Sequence, residues 1–165
     1  MTPSFGREFL FNINEKNNSL LVIDNIILDI DSNKSLSLKE FDATEVYGHS
    51  YDGGGVIQIY SDSNSIVKVY EQIGLSYGSV TTIIYFSKGI PIKIIDSEDN
   101  FALREDKKGL DYTKITSVFK AEIYIFDWEK DENKTIKIGK RNQSEGTCGI
   151  FEYEGLIDKA KDLLK

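Results

Sequence analysis

The chain has 165 residues, a length that suits a single domain, and its nine Phe and nine Tyr residues supply enough apolar surface for a core, which excludes wholesale disorder. Its net charge of −7 disfavours duplex DNA and anionic membranes as partners, because both bind patches of Lys and Arg. The single cysteine excludes an internal disulfide, and no apolar stretch approaches the roughly 20 residues of a membrane span.

The first 45 residues are ambiguous between helix and strand. Residues 5–13 carry spaced apolar side chains that suit a strand or a short helix. Residues 20–30 are dense in Leu, Ile and Val, and because β-branched residues dominate there, strands are favoured. Residues 35–46 alternate loosely between apolar and polar side chains, and the glycine-rich run 48–55 ends regular structure.

The middle of the chain predicts antiparallel strands. Residues 56–60 and 66–73 are apolar, β-branched runs separated by a polar turn. Residues 80–86 and 90–95 flank Ser87-Lys88-Gly89, and a short glycine-containing loop between two such runs is typical of a hairpin.

The last third predicts two further strands and a helix. Residues 96–111 are polar and charged and suggest a long connection, whereas 115–128 and 135–138 are strand-like. Residues 156–164 place Leu, Ile and Ala at helical spacing. The predicted fold is therefore α+β, a single domain over residues 1–165 with a mainly antiparallel, meandering sheet and a C-terminal α-helix packed on it.

One segment resembles a calcium-binding loop of the EF-hand type. Such a loop needs oxygen ligands at alternating positions and a closing glutamate. Lys34 occupies the position where glycine makes the sharp turn, so a polar turn between strands is the favoured interpretation. The ligands of the alternative calcium site would be Asp29, Asp31, Asn33, Ser35 and Glu40.

The only tryptophan is flanked by acids, which favours a binding role. Aromatic anchors beside carboxylates suit a basic protein partner, although a half-buried Trp at a strand end explains the pattern equally well. The candidate partner-binding residues are Asp127, Trp128, Glu129, Asp131 and Glu132. His49 and Cys148 are the only residues of their types, and we assign no catalytic residue, because nucleophile, base and orienting group do not converge in the sequence.

Residues 45–95 resemble a group of small uncharacterised bacterial domains, many of them exported or lipid-anchored. The shared pieces are a Ser-x-acidic-Gly-Gly loop, a Tyr-bearing strand, a glycine turn and a Tyr-Phe-x-x-Gly hairpin. In this chain they correspond to Ser50, Asp52-Gly53-Gly54, Ile59-Tyr60, Gly74 to Gly78 and Tyr85-Phe86-Ser87-Lys88-Gly89. The resemblance implies a meandering antiparallel sheet and no particular activity.

These observations favour a non-enzymatic bacterial protein-binding domain without a cofactor. The leading hypothesis is an immunity-type inhibitor that neutralises a basic toxin by occluding it; its basis is the small size, the acidity and the lack of a visible export signal. The alternatives are an envelope or periplasmic ligand-binding or accessory domain and a calcium-binding protein acting through residues 29–40. The expected location is cytoplasmic, or periplasmic if an export signal has been removed.

Overall fold

The computed structural model describes residues 5–63 and 65–165, with side chains described from residue 19 onward. The chain divides into two compact units, residues 1–34 and residues 35–165. The assignment of the whole chain to one domain stays a prediction.

The first unit contains helix α1 (Phe5–Ser32), which is 28 residues long. The strand prediction for residues 20–30 is therefore wrong. Ile23, Ile27 and Ile30 recur at spacings of three and four residues, which is the periodicity of one helical face. This periodicity outweighs the β-propensity of the individual residues, which is a context-dependent preference.

In the described part of the second unit, seven strands form one antiparallel sheet in which every strand pairs with its neighbours in sequence. A short helix follows the first strand, and a 3-10 helix leads into the C-terminal helix. The predicted α+β meander is confirmed. The elements are β1 (Ser37–Asp42), α2 (Ala43–Tyr47), β2 (Gly55–Asp62), β3 (Ser65–Leu75), β4 (Gly78–Ser87), β5 (Ile90–Leu103), β6 (Leu110–Asp127), β7 (Glu132–Gly139), the 3-10 helix (Ile150–Tyr153) and α3 (Glu154–Leu163).

The hydrophobic core of this unit lies between one face of the sheet and α3. The predicted C-terminal helix is confirmed, and Leu156, Ile157 and Ala160 are its buried residues. Each fully buried Ile of the sheet contributes roughly 1.5–3 kcal/mol relative to an exposed side chain. The strands supply Ile57, Ile59, Val69, Ile84, Phe86, Ile94, Phe119, Ala121, Ile123 and Ile125.

The opposite face carries a row of alternating Tyr and Lys side chains across five strands. Tyr60, Lys68, Tyr85, Lys93 and Tyr124 are successive register partners. The ammonium of Lys68 lies 5.3 and 5.2 Å from the ring centroids of its two tyrosine partners. The ammonium of Lys93 lies 2.9 Å from the hydroxyl of Tyr124. Cation–π attraction therefore supports the register of the sheet.

The strand pair β5–β6 is longer than the sequence indicates. Residues 96–111 were expected to form a connection, and this expectation is wrong because β5 runs to Leu103 and β6 begins at Leu110. Asp96, Glu98 and Asn100 continue the inward-facing alternation, and they are only 5, 0 and 8 % exposed. Each of the three has a hydrogen-bond partner in the segment 140–149, which connects β7 to the 3-10 helix.

Glu98 holds this segment against the sheet. Its carboxylate accepts hydrogen bonds from the backbone N–H groups of Gln143 and Ser144, both at 2.9 Å, and from the side-chain amide of Asn100 at 2.9 Å. Burial alone would raise the pKa of Glu98, but hydrogen bonds from Ser144, Gln143 and Asn142 outweigh it, so the pKa lies below its usual value.

The glycine-rich run is fixed against the end of β3. The N–H of Gly53 donates to the carbonyl of Gly74 at 3.0 Å, and the N–H of Gly74 donates to the carbonyl of Gly54 at 2.8 Å. A Cβ added at Gly74 would lie 2.5 Å from the carbonyl oxygen of Gly53. The two backbones can approach this closely only because neither residue has a side chain.

Gly74→Ala should lower the free energy of unfolding by about 2–3 kcal/mol, since the added methyl group meets backbone atoms that cannot rotate away. Gly155→Ala is the matched control, because an added Cβ there meets nothing within 4 Å and Ala favours a helix. Urea denaturation of both variants checks the contrast. Equal stabilities of the two variants would contradict the close contact.

Glu98→Gln should cost about 3 kcal/mol at pH 7, because the Gln amide turns N–H groups toward the donors that the carboxylate accepts. Because the pKa of Glu98 is lower in the folded state, the ionised carboxylate stabilises the fold fully above its unfolded pKa of about 4.3. This stabilisation is lost as the pH falls through the lower pKa of the folded state. Urea denaturation at several pH values between about 7 and 3 should therefore show that the free energy of unfolding falls more steeply with decreasing pH in wild type than in the variant. Parallel pH profiles would contradict the role of Glu98.

Candidate functional site

The Trp128 groove lies between α3, the β4–β5 turn and the end of β6. Its volume is about 580 Å³. Strands β5 and β6 are neighbours in the sheet, and Ile125 of β6 and Ile157 of α3 belong to the same hydrophobic core. Its lining residues include Ile90, Pro91, Ile125, Asp127, Trp128, Glu129, Glu154, Ile157, Asp158 and Lys161.

Trp128 and Phe151 form an aromatic pair beside the groove. Their ring centroids are 5.6 Å apart and the ring planes are nearly perpendicular, at 85°. Trp128 is half-buried and packs against the core, whereas Phe151 is 46 % exposed. Ile90, on the wall formed by the β4–β5 turn, is 54 % exposed. The groove therefore has a firmly held indole and accessible apolar surface near it.

Four carboxylates and one ammonium group line the groove. Glu129, Glu154 and Asp158 are exposed, and Glu154 and Asp158 are four residues apart on α3, so they project from the same side of the helix. Lys161 is the cation among the lining residues that the structure describes. The groove is thus negative at neutral pH and suits a cationic group.

Asp127 fixes the turn that carries Trp128. Its carboxylate accepts a hydrogen bond from the backbone N–H of Lys130 at 3.1 Å and lies 3.1 Å from the ammonium of the same residue. The backbone hydrogen bond and then the side-chain hydrogen bond from Lys130 hold the pKa of Asp127 below its usual value. Asp131 closes the turn with a positive φ of 54°, a conformation that Asp tolerates.

The groove brings together three of the five predicted partner-binding residues, namely Asp127, Trp128 and Glu129. Asp131 and Glu132 are not among its lining residues. The carboxylate of Asp131 accepts a hydrogen bond from the side-chain amide of Asn133 at 2.8 Å, and Glu132 begins β7 as the register partner of Asp127. Whether any of the five binds a partner stays a prediction.

Several lining residues were missed from the sequence, above all Ile90, Glu154 and Asp158. Glu154 precedes the predicted helix 156–164 and Asp158 was expected on its outer side, and only the start of α3 at Glu154 puts both acids on the side of the helix that lines the groove. No local pattern connects Ile90 to residues more than 35 positions later.

The residues of the alternative calcium loop lie in different kinds of structure. Asp29 and Asp31 are both in α1, where residues two apart do not face each other. Asn33 and Ser35 follow the helix, and Glu40 is in β1, where its carboxylate accepts a hydrogen bond from Gln58 at 2.7 Å. Within the described residues, no group of three or more His, Cys, Asp or Glu side chains is arranged to hold a metal ion. Calcium binding by residues 29–40 stays a prediction.

His49 and Cys148 have separate surroundings. The ring of His49 meets Tyr51 edge-on at 4.9 Å between centroids. Cys148 is buried, and its sulfur lies 3.5 Å from a terminal nitrogen of Arg141. Neither contact provides the base–nucleophile hydrogen bond that covalent catalysis requires.

None of the helices in the described residues has the length and apolar content needed to cross a membrane. Comparisons of the chain with family models, with curated proteins and with solved structures found no match. Function must therefore be inferred from the groove itself.

Asp127→Asn should loosen the turn around Trp128, because the amide replaces the charged acceptor of two Lys130 contacts. We expect stronger quenching of the tryptophan fluorescence by acrylamide, with no measurable change in the urea midpoint. Glu105→Gln, in the exposed turn between β5 and β6, is the control. An unchanged quenching constant would show that Asp127 does not hold this turn.

Proposed function

We propose that this chain is a non-enzymatic protein-binding domain whose Trp128 groove receives a basic segment of a partner. The observation that carries the proposal is the half-buried indole of Trp128 in a groove lined by four carboxylates. A guanidinium group can stack on an indole face and pair with carboxylates at the same time, which makes arginine the best-fitting side chain.

The groove has the composition of a binding hot spot. Such spots are centred on a rigid aromatic residue, and the surrounding polar groups keep water out once the partner is bound. Trp128 is held by the Asp127 turn and by Phe151, so little side-chain freedom is lost on binding. The volume of about 580 Å³ suits one or two side chains of a partner rather than a folded element.

An immunity-type role is the form of this function that fits the overall charge. A net charge of −7 speeds the encounter with a basic partner through long-range attraction. Covering the active site of a basic toxin would need only such an encounter and a surface anchor, with no chemistry on the part of this chain.

Titration with a hexa-arginine peptide should change the fluorescence of Trp128, and the affinity should fall as salt is added. The double variant Glu129→Gln/Asp158→Asn removes two exposed carboxylates of the groove and should weaken binding by about tenfold. Fluorescence titration at two salt concentrations measures both effects.

Asp52→Asn/Glu105→Gln is the matched control, since it removes the same charge in exposed loops away from the groove. Equal weakening in both double variants would mean that the peptide responds only to net charge, which would contradict a specific groove. Failure of the peptide to alter the Trp128 signal would also overturn the proposal.

A further inference from the structure

A hollow separate from the Trp128 groove, here called the Tyr112 hollow, lies at the opposite end of the strands and has a volume of about 580 Å³. Its walls come from the glycine-rich run, the β3–β4 turn and the β5–β6 hairpin. At Gly53, Gly74 and Gly78 only backbone borders the space.

A bulge in β6 carries Tyr112 at the edge of this hollow. Phe101 of β5 pairs with Ile115, whereas the next residue of β5 pairs with Asp111, so the three residues between these two β6 positions bulge from the strand. The carboxylate of Asp111 accepts a hydrogen bond from the backbone N–H two residues later at 3.0 Å, which fixes the bulge. Bulges of this kind commonly re-aim a side chain beside a functional site.

The rings of Phe101 and Tyr112 form an accessible aromatic wall. Their centroids are 5.1 Å apart and the ring planes meet at 68°. Phe101 is half-buried, whereas Tyr112 is 69 % exposed and the neighbouring Ile115 is 58 % exposed. An edge contact therefore holds the Tyr112 ring while most of its surface stays open to a ligand.

Neutral polar groups and one carboxylate border the same space. They belong to Gln72, Ser76, Ser79 and Asp52, and both Asp52 and Ser76 are exposed, so a ligand in the hollow can reach them. Among the lining residues that the structure describes, Asp52 carries the only charge. The hollow therefore disfavours phosphates and carboxylates, because an anion would meet the negative charge of Asp52 with no cation to offset it.

An aromatic wall beside such polar groups is complementary to a sugar ring. In a pyranose whose hydroxyls are all equatorial, the C–H bonds point toward the two faces of the ring and the hydroxyls lie around its rim. One face can pack on the ring of Tyr112, while rim hydroxyls donate to the carboxylate of Asp52. The volume is within the range of small-molecule sites and suits one or two sugar rings.

We propose that the Tyr112 hollow binds a neutral carbohydrate built of all-equatorial pyranose rings, as in β-linked glucose. The aromatic wall contributes the packing surface, and Asp52 with the neutral polar groups orients the hydroxyls. This site does not depend on the function proposed for the Trp128 groove.

Cellobiose is the probe that tests this chemistry, with two companions. Sorbitol has similar hydroxyls but no ring face, and tetramethylammonium is a cation that Asp52 and the aromatic rings would attract. NMR titration should show that cellobiose shifts the ring signals of Tyr112 and Phe101 and leaves the indole N–H of Trp128 unmoved. Its affinity should exceed that of sorbitol at least about tenfold, because only cellobiose can pack on the rings.

Three variants and a control test the location, with the Phe101 ring signals as the readout. Tyr112→Ala should weaken cellobiose binding at least about tenfold, whereas Tyr112→Phe keeps the ring face and should stay within about twofold of wild type. Asp52→Ala should weaken binding about tenfold, because a charge-assisted hydrogen bond is lost. Leu103→Ala is the matched control, since Leu103 is an exposed apolar residue of the same hairpin that does not line the hollow.

Because Tyr112 is largely exposed, the urea midpoint of Tyr112→Ala should stay near that of wild type, which separates loss of binding from loss of folding. Unmoved Tyr112 and Phe101 signals in cellobiose would overturn the proposal. Equal affinities for cellobiose and sorbitol would do the same, as would a response to tetramethylammonium alone, which would mark a cation site. If Tyr112→Ala does not fold, wild-type affinity in Asp52→Ala decides against the hollow.

Discussion

The buried carboxylate of Glu98 is the interaction on which the binding face depends. A charge with no exposed surface is tolerated only when hydrogen bonds replace its hydration. Glu98 obtains them from consecutive backbone N–H groups of Gln143 and Ser144, in a stretch without regular secondary structure. The carboxylate therefore fixes where the segment 140–149 runs, and the segment delivers the 3-10 helix and α3 to the sheet.

Helix α3 then separates two clefts of different chemistry. Glu154 and Asp158 line the Trp128 groove, whereas Gly155 and Lys159 line a second cleft together with Asp96 and Arg141. Both pairs have a spacing of four residues, so each projects from one side of the helix. The buried side of α3 holds the helix in place, and its two remaining sides contribute residues to the clefts.

The sequence predicted the parts of the fold whose side chains follow one simple period. The hairpin 80–95 and the C-terminal helix show clean alternation and clean helical spacing, and both are confirmed. Residues 20–30 were mistaken for strands because β-branched residues obscured a helical spacing. Asp96, Glu98 and Asn100 looked like a connection because polarity was equated with exposure.

The candidate sites were predictable only where they are local. Asp127, Trp128 and Glu129 are adjacent in sequence, and their aromatic–acidic pattern was visible without a structure. Asp158 and Ile90 reach the same groove through tertiary packing, which no single segment encodes. The ion pair between Asp96 and Arg141 joins residues 45 positions apart, so no local pattern could predict it.

Hydrogen exchange of the backbone amides in wild type and in Glu98→Gln tests the central role of this carboxylate most directly. If Glu98 positions the segment and through it α3, the variant should exchange faster at Gln143 and Ser144 and, together with them, along α3, while the amides of the β4–β5 hairpin stay protected. Faster exchange at Gln143 and Ser144 with unchanged protection of α3 would contradict the account, because the helix would then be held by its apolar contacts alone.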